Sequence, residues 1–280
     1  MYLSDYLVVV RGGGGLGTAV AHRLLRSGFT VLVTELAQPL ALHRAVSFSE
    51  AVYGGQAVVE GVTARLADDA MLGLALTVVG EVPVLVDLAD DVVPRMQPAV
   101  VVDARQAVRN LGTRREDARL VIGLGPGFTL DKDCHAVVGT ARGPNLGRVY
   151  WADSNQPAGS EPAPRRSKAR ERRLCAPAGG QFRAHRAIGD LVQPGDVLAS
   201  VDGHPIAAPY AGAVRGLLHD NVPVTAGMKV IDLDPHGRKE ACFLVSSQAR
   251  AIAGGVLEAA LAGMDLWRSE ADSHRTAEET

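Results

Sequence analysis

The sequence is short of several things, and each scarcity removes a class of protein. Its cysteines are Cys134, Cys175 and Cys242, scattered and without a CxxC pair, which argues against a disulfide framework or a structural zinc site. No apolar run approaches the roughly 18 residues that a membrane span needs. Acidic and basic residues nearly cancel, 31 against 29, so the formal net charge of −2 lacks the basic excess of a general nucleic-acid or anionic-membrane binder. Met1 to Arg11 has Asp5 ahead of a short apolar stretch and no basic n-region, so it does not read as a signal peptide. A cytoplasmic protein with neither nucleic acid nor membrane as partner is the expectation.

What the sequence has is glycine, 31 residues, and 47% hydrophobic residues, enough for at least one sizeable core. A length of 280 residues, at roughly 150 per domain, suggests about two domains. From Leu7 to about Leu124, β-branched runs (7–10, 30–34, 82–86, 99–102, 120–122) alternate with helical text (16–26, 68–79). That alternation predicts an α/β domain over 1–151 with a parallel sheet covered on both faces. Within it, Gly123 to Trp151 reads as a glycine-rich loop region. Residues 152–173, rich in Pro, Ser, Ala and Arg, read as a linker, and the basic run 165–173 has no interleaved aromatics to suggest RNA. An alanine-rich helical segment is expected within 237–267, packed back on one domain, and 268–280 is expected to fray.

Residues 173–204 laid over 205–236, an offset of 32, give eight identities without a gap. They are Ala176/Ala208, Pro177/Pro209, Gly180/Gly212, Arg183/Arg215, Val192/Val224, Gly195/Gly227, Asp202/Asp234 and His204/His236. Two copies of short strands and turn glycines predict a quasi-symmetric β domain over 174–236, since one copy cannot bury its own apolar face. This pattern resembles the biotinyl/lipoyl barrel-sandwich domain. Gly227-Met228-Lys229-Val230 invites a biotinylation reading, but in that family the modified lysine sits at the hairpin joining the copies. Here that hairpin is Val201-Asp202-Gly203-His204-Pro205, so no biotin or lipoate is expected on Lys229.

The nucleotide signature is Arg11-Gly12-Gly13-Gly14-Gly15-Leu16-Gly17, with Gly12, Gly14 and Gly17 as the GxGxxG glycines and Gly13 inside the turn. It follows a buried strand and opens a helix, and Glu35 ends the next strand, which is the Rossmann context. Gly12 permits a tight turn, Gly14 lets N–H groups approach a pyrophosphate, and Gly17 lets the helix pack close. Glu35 would accept ribose hydroxyls and repel a 2′-phosphate, favouring NAD(H) over NADP(H). The other reading is a turn that packs helix on strand and binds nothing.

Asp103 and Arg105 follow a buried strand at its C-terminal end, with Asn110 a little further on. Arg105 either clamps a phosphate or anchors the turn through a salt bridge with Asp103. Cys134 and His135 are the candidate catalytic pair: either a thiolate beside an imidazole, able to hold a metal, sulfur or selenium, or a buried cysteine and a hydrogen-bonded histidine. No metal site is assigned.

Four stretches together carry a family resemblance. They are the glycine turn with Ala21-His22-Arg23-Leu24; Glu35–Pro39 with Val46–Tyr53; Val101–Arg105, Arg109–Thr113 and Val121–Phe128; and Ala251–Glu258. Over about Val8 to Leu261 the chain resembles the selenium-dependent molybdenum hydroxylase system (YqeB-like) proteins, and its Rossmann part resembles the XdhC group. The resemblance implies a maturation factor for a molybdenum hydroxylase client, binding a nucleotide or molybdopterin cytosine dinucleotide. It also marks departures: Gly15 stands where an aspartate is usual, Gly139 where a glutamate is, and Pro144 where a histidine is. An NAD-dependent oxidoreductase with His135 as proton donor, and a non-catalytic scaffold, are the alternatives; a homo-oligomer is left open.

Overall fold

The computed structural model describes residues 2–152 and 173–278, so the expected linker lies almost wholly outside the described residues. The valine-rich runs become strands: β1 (Leu7–Arg11), β2 (Thr30–Glu35), β3 (Gln56–Val59), β4 (Val62–Ala67), β5 (Val82–Val86), β6 (Val100–Asp103), β7 (Leu120–Leu124), β8 (Ala136–Val138) and β9 (Val149–Trp151). They form one nine-stranded sheet in the order β3-β4-β5-β2-β1-β6-β7-β8-β9. From β4 to β8 every neighbour is parallel, and β3 and β9 close the two edges antiparallel.

Those two edges correct the expectation of a purely parallel sheet. Glu60 and Gly61 both have positive φ, 46° and 81°, the backbone of a two-residue hairpin that folds β3 onto β4. The region 123–151, read as loop, supplies β8 and β9 and lengthens β7 to Leu124. Strands of three residues flanked by glycine are too short for a period to show.

Alternate residues of the parallel strands feed two cores. On one face Val8, Val10, Val31, Val33, Val100, Val102 and Ile122 meet α1 (Gly15–Arg26), α2 (Ala51–Gly54) and the C-terminal helix. On the other, Val9, Leu32, Val101 and Val121 meet Leu76 of α3 (Ala70–Val78) and Val92 and Val93 of α4 (Val92–Met96). Asp69 caps α3, accepting the Leu72 N–H at 2.8 Å. The C-terminal helix, α5 (Ser247–Glu278), does pack back, burying Ile252, Ala253, Val256 and Ala260 in the first core. Its backbone is helical through Glu278, where fraying was expected, since no glycine or proline follows Gly263 to stop it. No helix among the described residues is long and apolar enough to cross a membrane.

The repeat builds two further sheets. The first copy gives β10 (Arg173–Cys175), β11 (Gly180–Ala184), β12 (Leu191–Val192) and β13 (Val197–Val201). The second gives β14 (His204–Ala207), β15 (Gly212–Leu217), β16 (Pro223–Val224) and β17 (Lys229–Asp234). One four-stranded antiparallel sheet runs β10-β17-β15-β12 and the other β14-β13-β11-β16, so each exchanges strands between copies. Their shared core holds Phe182, Leu198, Val201, Val214, Val230 and Leu233. Hydrogen bonds repeat with the offset: Gly195 N–H to Ala208 O pairs with Gly227 N–H to Ala176 O, and Phe182 N–H to Val222 O with Val214 N–H to Asp190 O. Gly195 and Gly227 both have left-handed backbone, φ 90° and 81°, which explains that identity.

Adjacent glycines of α5 provide a test of its docking. A Cβ on Gly254 meets nothing within 4 Å, whereas one on Gly255 runs into the Gly147 carbonyl and stands 2.9 Å from Val138 Cγ1. Gly254→Ala is expected to stabilise the protein by about 0.5–1 kcal/mol. Gly255→Ala is expected to cost about 1–3 kcal/mol. Urea unfolding of both variants measures this, and equal effects would contradict the docking.

Candidate functional site

The strand order reverses direction about β1, with β2 on one side and β6 on the other, so the C-terminal ends of β1 and β6 flank a topological switch point. The glycine turn leaves β1 there. Gly12 (φ 94°) donates its N–H to Thr34 O, and a Cβ on it would press 3.3 Å from the Arg105 backbone. Gly17 has no room for a Cβ, which would overlap the Gly12 carbonyl oxygen, so α1 starts directly against the turn. The Gly13 carbonyl accepts the Thr18 hydroxyl and the Ser49 N–H, fixing the turn from two sides. No acceptor among the described residues takes the N–H groups of Gly14, Gly15, Leu16 or Gly17; these are the orphan donors of a helix start, where an anion is stabilised.

Glu35 closes the near side. One carboxylate oxygen accepts the Gly13 N–H and the other the Leu36 N–H, each at 2.8 Å. Burial raises its pKa, and these two N–H donors oppose the rise. The loop 36–47 arches over the turn, with Ala41, His43 and Ser47 atoms 3.9 Å from where side chains at Gly14 or Gly15 would begin. The β sheets hold that loop: His43 Nε2 meets Asp232 Oδ2 at 2.8 Å, Arg44 Nε donates to Leu217 O, and Leu217 N–H donates to Leu42 O. Tyr53 stacks on His219 with ring centroids 3.8 Å apart.

Asp103 and Arg105 are brought to the same rim, as partners of each other. The Arg105 fork takes Asp103 Oδ2 at 2.6 Å and the Thr113 hydroxyl oxygen at 2.9 Å. Burial works against the Arg105 charge, but the hydrogen bond and charge of Asp103 more than offset it and hold the guanidinium above its usual value. Thr113 donates to Asp103 and also accepts from Arg11, whose other contacts are Asp117 at 2.8 Å and Asp90 at 3.1 Å. Of the two sequence readings for Arg105, the turn-anchoring salt bridge is the contact this structure contains. The glycine-proline loop supports it: Gly127 O accepts the Asn110 N–H, and the Asn110 side chain brackets the Thr113 peptide with two bonds of 2.7 and 2.9 Å.

Sequence reading missed Arg11 and Thr113, the centre of this network. A charged residue closing a run of valines was the available signal for Arg11; Thr113 gave none. Arg11 Nε and Ser49 Oγ are buried without a hydrogen-bond partner among the described residues.

Cys134 and His135 are not brought to the turn. Cys134 is fully buried and desolvation pushes its thiol up to about 12, so the thiolate that nucleophilic or metal chemistry requires is suppressed. His135 accepts the Val121 N–H on Nδ1 at 3.0 Å, and burial lowers its pKa. It stands beside β8, three strands from β1 and so roughly 14 Å sideways. Of the family departures, Gly139 lies against the Asn145 carbonyl, which a side chain would strike, while Gly15 has ordinary space and Pro144 is exposed. Lys229 opens β17, away from the hairpin that joins the copies. A cleft of about 690 Å³ lined by Tyr6, Val93, Gln97, Ala99, Arg114 and Arg119 opens near the start of β1 and β6, away from the turn.

Two measurements check these placements. Gly17→Ala should cost about 3 kcal/mol or more, because Gly12 or α1 must move, and Gly14→Ala about 1 kcal/mol or less; similar losses in urea unfolding would refute the close approach. Iodoacetamide at pH 8 should label only the exposed Cys175 of the native chain, sparing buried Cys134 and Cys242, and all three in urea. Native labelling of Cys134 would count against its burial.

No family model matches the chain. It is 45% identical over 253 residues to a protein of Escherichia coli (strain K12) named "Uncharacterized protein YqeB", a match covering 90% of this chain and 47% of that protein. The chain therefore spans about half the length of this relative. The chain is thus similar, over most of its length, to part of that YqeB protein.

Proposed function

We propose that the protein is a maturation factor for a molybdenum hydroxylase, cytoplasmic, holding a nucleotide or molybdopterin dinucleotide at the glycine turn. The observation that carries the ligand half is the set of orphan N–H groups at Gly14 to Gly17, opening at a switch point. The pathway half rests on the sequence resemblance. In this reading the nine-stranded sheet is a Rossmann-like nucleotide domain over 1–151. The repeat over 174–236 is a barrel-sandwich module that docks the client and braces the loop over the ligand.

A pyrophosphate would lie against the start of α1, taking N–H donors that no acceptor among the described residues takes. Glu35 would face the ribose and repel a 2′-phosphate, so NAD(H) fits better than NADP(H). A molybdopterin dinucleotide carries the same pyrophosphate and fits the same donors. The oxidoreductase reading loses support, because its proton donor, His135, stands three strands from the turn.

Thermal unfolding of the purified chain against NAD(H), NADP(H), ADP, CTP and molybdopterin cytosine dinucleotide tests this. A ligand at 100 times its Kd should add about 2.7 kcal/mol of stability. A shift with the molybdopterin dinucleotide, absent in Gly14→Asp, whose carboxylate would cap the same N–H groups, is the expected result. A shift with NAD(H) alone would favour an oxidoreductase, and no shift with any of them would make the turn a packing device and the protein a scaffold.

A further inference from the structure

Outside the glycine-turn site, at the other end of α1, three arginines meet around one hollow. Arg23 and Arg26 of α1 and Arg250 of α5 line a pocket of about 220 Å³ together with His22, Ser27 and Glu60. In a chain of net charge −2, three arginines lining one hollow call for a counter-charge. None of them has an ion pair or side-chain hydrogen bond among the described residues. The single acid, Glu60, spends one carboxylate oxygen on the Val245 N–H at 2.8 Å.

One plainer explanation accounts for only part of this arrangement. Basic residues often end a helix to meet its last carbonyls. Here the carbonyls of Arg23, Leu24 and Leu25 already accept N–H groups from Ser27, Gly28 and Phe29, and the Ser27 hydroxyl also donates to Arg23 O. Arg250 has the opposite problem. It sits in the first turn of α5, which has no acidic residue there, where the helix dipole disfavours a cation. A bound anion would settle both: it would neutralise the α1 arginines and offset the cation at the start of α5.

We propose that this pocket binds a phosphate dianion, either free or as the phosphoryl group of a small ligand. Guanidinium forks suit a tetrahedral oxyanion in two-point contact. The volume is below the roughly 300–1,000 Å³ of ordinary ligand sites, so it admits the phosphoryl group and not a dinucleotide. Arg26 is eleven residues along α1 from Gly15, about 16 Å, so the two anion sites are separate.

Isothermal titration of the whole chain with inorganic phosphate at low ionic strength is the test. One saturable site is expected, with affinity at least tenfold weaker in Arg26→Gln/Arg250→Gln and in Arg23→Gln, and unchanged in Gly15→Asp, which places an acid at the glycine turn. The arginines substituted lie at the surface or partly so, and circular dichroism melting should show the variants folded. Ribose 5-phosphate binding more tightly than inorganic phosphate would identify a phosphoryl ligand, and the reverse a free ion; both support the site. No saturable binding up to about 10 mM phosphate would overturn it. So would wild-type affinity in the double variant, or loss in Gly15→Asp alone, which would put the phosphate at the glycine turn instead.

Discussion

The contact between Gly17 and the Gly12 carbonyl oxygen sets the geometry around the nine-stranded sheet. Because no Cβ intervenes, α1 begins on top of the end of β1, and the helix axis is fixed against the sheet. Everything around the switch point then follows. Gly13 is held between Thr18, Ser49 and Glu35, the Arg105 backbone closes on Gly12, and the loop 36–47 has a surface to cover. A bulkier residue at 17 would tilt the helix and disturb all of these together. The same placement sends the far end of α1 to the arginine hollow, so one helix connects two regions suited to anions.

Much of the fold was legible because it rests on local signals. Valine runs with alternate side chains entering two cores, a glycine turn between strand and helix, and an offset of 32 in the β half all have short-range signatures. The repeat was also explained: Gly180 faces the Asp202 carboxylate and Gly212 the Asp234 carbonyl, so the paired glycines and aspartates hold equivalent corners. What could not be read left too faint a local signal. The antiparallel edges rely on short strands, and the length of α5 on the absence of a stop signal.

The candidate site was legible in its glycines and Glu35, and misleading elsewhere. Asp103 and Arg105 looked like ligand groups because charged residues at strand ends serve ligands and anchors alike. Only three dimensions reveal Thr113 and Arg11 between them, from residues separated by as many as 102 positions. Cys134 and His135 were neighbours in sequence with the right chemistry. Core burial took the first and a backbone bond to Val121 the second.

The two copies of the β repeat part company at one place. In the first, Arg183 pairs with Ser200, and the offset would pair Arg215 with Asp232; instead Gly216 takes that register and Arg215 is extra. That bulge turns Gly216 toward Leu42 and His43, and gives the Leu217 N–H to Leu42 where the matching bond of the first copy stays inside the repeat. The asymmetry is thus a fitting for the loop 36–47. Cut free of the loop 36–47, the repeat would carry a bare N–H at Leu217 on one sheet. That bare end of β15 would offer itself to a neighbouring chain.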